Sequence, residues 1–105
     1  MVEVIWTEPA LADLEAIADY IAIENPAVAA EFVKRVLAHI DKLEQHPRLG
    51  PVPPELEDSR YRHIVEPPCR VFYRHHGKTL FILHVMRSER LLIEGNLERG
   101  DLDES

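Results

Sequence analysis

The hydrophobic period of this chain changes once, and that change bounds what it can fold into. Between residues 8 and 45 apolar side chains recur every three or four positions, whereas from residue 60 to residue 87 they alternate. The first repeat gathers a stripe along one side of a helix; the second sorts side chains onto the two faces of a strand. The segment between them, "QHPRLGPVPPE" at 45–55, has Pro or Gly at five of its eleven positions and can continue neither. A helical half followed by a sheet half is therefore the frame into which every other feature must fit.

Within the helical half there are two helices. "VEVIWT", rich in β-branched and aromatic residues, is an opening strand, and Thr7 can cap a helix whose first turn holds Glu8 and Pro9. Leu11, Leu14, Ala18 and Ile21 give that helix its apolar side. "ENPA" stops it and starts the next, with Asn25 as N-cap and Pro26 at the first helical position. Ala29, Phe32, Val33, Val36, Leu37, Ile40 and Leu43 then keep helical spacing over about four turns. In the second half "RYRHIV", "CRVFYRHH" and "TLFILHVMR" are three strands, the last two joined by a tight turn at "HGK". The fold class is thus α+β, strand-helix-helix-strand-strand-strand, a mostly antiparallel sheet with a helical hairpin on one face. One domain is expected over residues 1–97, with any short helix or strand after residue 90 followed by an acidic, frayed tail at 98–105.

Composition excludes several classes of function. No apolar run approaches the roughly 18 residues of a membrane span, and "MVEVIWTEP" carries an acid where a secretory signal would carry bases, so a cytoplasmic protein is expected. A single cysteine, Cys69, allows no internal disulfide, and no histidine pair has metal-ligand spacing; neither metal nor cofactor is expected. The net charge of −7 argues against non-specific nucleic-acid binding. That average conceals a division: residues 60–90 carry seven bases and two acids, while residues 1–59 carry four bases and twelve acids.

The local excess of positive charge lies on the strands. In the strand from Cys69, the face with Cys69, Val71, Tyr73 and His75 is the core face, which leaves Arg70 and Arg74 on the side without helices. Arg60, Arg62 and Arg87 extend this into a cationic platform whose planar guanidinium groups suit carboxylate, phosphate or backbone partners. Cross-strand pairs with Glu66 and Glu89 are the competing, purely structural account of the same arginines. For the strand from Thr79 both faces are apolar, and the pattern leaves the inward one open.

Taken in order, "ALADLEAIADYIAIENPAVAAEFVKRVLAHIDKLEQHPRLG", "RYRHIV", "CRVFYR" and "ILHVMRSERLL" resemble the RelE/ParE toxin superfamily of bacterial type II toxin–antitoxin systems, and "DYI", "NPA" and "HPRLG" look most like the ParE branch. The resemblance implies a small toxin held inactive by a cognate antitoxin, with no sequence-specific DNA binding of its own. ParE members are known for blocking DNA gyrase; RelE members cut mRNA in the ribosomal A site.

The two branches ask different things of the residues. Metal-free RNA cleavage needs a group to activate the 2′-hydroxyl, a cation for the phosphorane and a proton donor. Arg70 matches the family arginine of the middle strand, and His84, Arg87 and Arg90 are the other candidates for a nuclease. The positions where a RelE-type enzyme places its later arginine and its tyrosine hold Ser88 and Glu94, and Tyr61 and His63 stand where lysines would be unless the register slips to Arg60 and Arg62. A ParE-like toxin that inhibits growth by binding gyrase is therefore the expectation, with Arg60, Arg62, Arg70, Arg74 and Arg87 as the target-binding set. A ribosome-dependent mRNA endonuclease is the alternative, and an inactive antitoxin-binding module the third reading.

Overall fold

The computed structural model describes residues 2–56, 59–92, 95–98 and 101. Its elements are β1 (Glu3–Trp6), α1 (Glu8–Glu24), α2 (Pro26–Gln45), β2 (Tyr61–Glu66), β3 (Cys69–His76) and β4 (Thr79–Arg87), in the order the sequence implies. The four strands lie in the order β1-β4-β3-β2. β2, β3 and β4 are antiparallel neighbours, while β1 crosses over through the helices to run parallel to β4. The sheet is thus mixed.

Both helices start where their caps put them. Thr7 accepts a hydrogen bond from the Ala10 amide and donates its hydroxyl to the Ile82 carbonyl at 2.8 Å, so the residue that starts α1 also ties it to the centre of β4. Asn25 ends α1, and its side chain accepts from the Val28 amide to begin α2. Ala29, Phe32, Val36, Ile40 and Leu43 form the buried side of α2. They meet Val71, Tyr73, Ile82 and Val85 of the sheet in the larger core cluster. α1 buries Ala10 and Leu14 and packs Ile17 and Ile21 against the same cluster. Leu11 and Leu37, counted among the inward residues from their spacing, instead face out, each about half exposed. Each sits at the margin of its apolar stripe, and Ala10 and Val36 take the inward place beside it.

The opposite face of the sheet is not open. Tyr61, Phe72, Leu83 and Met86 form a second core there with Leu92 and Leu97, and Leu56 and Phe81 pack against it. The order of elements predicted helices on one face and an open face opposite; that opposite face is closed by the loop before β2 and by the chain after β4, neither of which has a readable period. β4 shows why its inward face could not be read. Phe72 pairs with His84 but Tyr73 pairs with Ile82, so Leu83 is an extra residue that shifts the alternation. Leu80 and Ile82 face the helices before the bulge and Val85 does after it, while Leu83 and Met86 face the second core.

The "HPRLG" segment is held by specific contacts. The Tyr73 hydroxyl donates to the Pro47 carbonyl at 2.8 Å and accepts from the Gly50 amide at 2.9 Å. Arg62 donates to the carbonyl oxygens of Gly50 and Arg48. A side chain at Gly50 would sit 2.2 Å from the His63 carbonyl oxygen, so only glycine allows the loop to lie this close to β2.

Candidate functional site

On the second face, strand register places His63, Phe72 and His84 side by side across β2, β3 and β4. Their rings stack with centroids 5.7 and 5.9 Å apart. Arg70 lies over the Phe72 ring at 5.0 Å. Burial, and then the charge of Arg70, lowers the pKa of His63. Sequence reasoning set Arg70 on a solvent-facing platform, but only 7% of it is exposed. Its two terminal nitrogens bind both oxygens of Glu55, and one of them also donates to the Arg90 carbonyl. Glu55 accepts in addition from the Leu92 amide. The hydrogen bonds from Arg70, joined by that amide, lower the Glu55 pKa to about 2.

The other arginines of the platform are also engaged. Arg74 and Arg60 both donate to Asp101, which takes a third hydrogen bond from the Tyr61 hydroxyl at 2.7 Å. Asp101 belongs to the stretch expected to fray, yet it is 6% exposed. Arg62 is spent on backbone carbonyls of the preceding loop. Arg87 pairs with Glu89, as one of the two structural pairs anticipated, while Glu66 turns to Arg35 and His39 of α2 instead of to a strand arginine. The acids that neutralise Arg70 and Arg74 come from outside residues 60–90, where counting charges along the chain could not find them.

A cleft of about 560 Å³ opens between α1 and the end of β4. It brings together His84, Arg87 and Arg90 of the nuclease candidates, but Arg70 is not part of its lining. Ser88 is exposed near its rim, and Glu94 lies outside the described residues. Asp13, a residue that sequence reasoning did not single out, faces His84 across 71 positions of sequence with an Oδ2 to Nδ1 distance of 2.6 Å. The same oxygen accepts from the Val85 amide at 3.1 Å. An acceptor in that role assigns the proton to Nδ1 of His84 and leaves Nε2 without a hydrogen-bond partner among the described residues. Tyr20, within the quoted "DYI", lies beneath the Arg87 guanidinium at 5.9 Å. Cys69 contributes no chemistry here, since burial pushes its thiol up to about 11. No group of three or more metal-ligating side chains occurs among the described residues.

A strand, a helical hairpin and a sheet closed on its far side, with a half-open cleft beside the last strand, define a small α+β domain. The family described as ParE toxin of the type II toxin–antitoxin system, parDE, matches residues 4–92, and the chain belongs to it. It is similar to Toxin RelE2 of Caulobacter vibrioides, with 33% identity over 92 residues that span 87% of this chain and 100% of that protein. A solved structure titled as the chromosomal ParDE toxin–antitoxin system from P. aeruginosa superposes with a TM-score of 0.70 at 30% identity, covering 85% of this chain and 98% of its own. The protein is a type II toxin, and membership of the family implies a cognate antitoxin as its partner.

Proposed function

We propose that this toxin stops growth by binding DNA gyrase in the cytoplasm, without cutting RNA, until its antitoxin covers it. The observation that carries this reading is the enclosure of Arg70. A phosphorane must be met by an open, preorganised cation. Arg70 already has its terminal nitrogens on Glu55 and the Arg90 carbonyl and lies almost fully buried. With Arg62 engaged on loop carbonyls and both Arg74 and the exposed Arg60 held by Asp101, the proposed target contact narrows to Arg87, whose partner Glu89 is itself exposed, with its exposed neighbour Arg90. An acidic chain also suits a protein partner better than an RNA-lined cavity.

The endonuclease reading has one observation in its favour, the Asp13–His84 pair opening into a cleft that Arg87 and Arg90 also line. One experiment separates the two. Purified toxin is added to gyrase with relaxed plasmid, and in parallel to ribosomes programmed with mRNA. Gyrase binding requires loss of supercoiling with intact mRNA, and His84→Gln should keep that inhibition. A-site cleavage abolished by His84→Gln, with supercoiling untouched, would reverse the assignment.

A further inference from the structure

β4 outruns the strand beside it. β1 covers Thr79 to Ile82 and ends, while β4 continues to Arg87. Backbone groups of residues two apart point to the same edge of a strand. The Ser88 amide reaches Pro68 on the β3 side, so those of Val85 and Arg87 face the other way, into the cleft. The Val85 amide has found the Asp13 carboxylate in place of a strand, and the Arg87 carbonyl is taken by the Arg90 amide. The Val85 carbonyl and the Arg87 amide have no strand partner there among the described residues. An edge of this kind is a template for an extended peptide.

The walls of the cleft add two requirements. Ile17 on α1 and Leu91, which is 81% exposed, give it an apolar side. Arg87 and Arg90 line its rim together with Glu89, and the other acid of the lining, Asp13, is already taken by His84 and the Val85 amide. The pairing of Arg87 with Glu89 is exposed and exchanges readily for an incoming carboxylate. The Arg90–Leu92 stretch is meanwhile fixed from below, since Arg70 holds the Arg90 carbonyl and Glu55 holds the Leu92 amide. A rim already held in place has little ordering left to do on binding.

We propose that this cleft takes an extended acidic segment of the toxin's target, which adds to β4 at Val85 and Arg87, seats an apolar side chain between Ile17 and Leu91, and brings a carboxylate to Arg87 and Arg90. This rests on gyrase being that target. It also gives Arg70 a positioning role, presenting the rim without touching the partner.

The test uses the intact toxin with purified gyrase, with cognate antitoxin, and alone. Arg90→Glu and Leu91→Asp alter exposed side chains and should leave the fold intact. Each should weaken inhibition of supercoiling about tenfold or more while the urea midpoint of the free toxin stays as in wild type. Hydrogen exchange at residues 84–88 should slow in the gyrase complex. Unchanged inhibition by both variants, or protection of this segment by antitoxin or by self-association but not by gyrase, overturns the cleft assignment and leaves gyrase binding standing. Wild-type toxin that neither binds nor inhibits gyrase sinks both together.

Discussion

The Arg70 guanidinium and the Glu55 carboxylate meet through two parallel hydrogen bonds, 3.0 and 2.7 Å long, across a loop dense in proline. The pair is lopsided in burial: the Arg70 side chain is 8% exposed and that of Glu55 22%. Its partners on both sides make it the knot that closes the second face of the sheet, because the loop before β2 and the chain after β4 are tied to the same central strand through it.

That asymmetry predicts unequal costs for breaking the pair from either side. Glu55→Ala leaves a cation in a site that water reaches poorly and should cost about 3 kcal/mol or more. Arg70→Met replaces the cation by an apolar chain of similar length, and the Glu55 carboxylate freed by it can turn to solvent, so the loss should be smaller. Urea melts of the two variants check the order, and equal losses would show that the burial difference has no energetic weight.

Acid should loosen the knot over a defined range. The folded Glu55 pKa, about 2, lies below its ordinary value of 4.5, so the carboxylate contributes stability that is fully present above pH 4.5 and is lost as pH falls toward 2. Unfolding midpoints of wild type should therefore drop across that window, and Glu55→Gln should show a shallower fall. Parallel pH profiles for the two proteins would contradict the assignment.

Gly50 and Tyr73 should behave as one unit. Gly50→Ala forces a methyl group against the His63 carbonyl at 2.2 Å, and the backbone must move to relieve it. Tyr73→Phe removes the acceptor of the Gly50 amide and the donor to Pro47, with an expected loss of about 1–3 kcal/mol. A double-mutant cycle read by thermal melts should show the two effects to be strongly non-additive, since either change releases the same loop.

The packing of α2 on the sheet gives the largest expected losses. Phe32 and Ile40 are 1% and 3% exposed, and truncating either to Ala should cost about 2 to 5 kcal/mol. Leu37→Ala, at a site 45% exposed, should cost far less, and calorimetry that ranked Leu37 with the other two would displace the buried stripe.

What the sequence determined by itself was everything that depends on near neighbours. The caps at Thr7 and Asn25, the stripe of α2, the turn at Gly77 and the alternation in β3 all follow from residues a few positions apart, because helix and strand geometry act over that range. Resemblance over most of the chain carried the family as well. Only the tertiary structure decided which charges stay free and what faces the cleft. Arg70 meets Glu55, Arg74 meets Asp101 and His84 meets Asp13 over separations of 15, 27 and 71 residues. No period encodes such pairs; they arise because buried polar groups must find partners wherever the packed chain brings them. The bulge at Leu83 is the same lesson in the backbone: one unpaired residue reversed the sense of β4, and only the register with β3 reveals it.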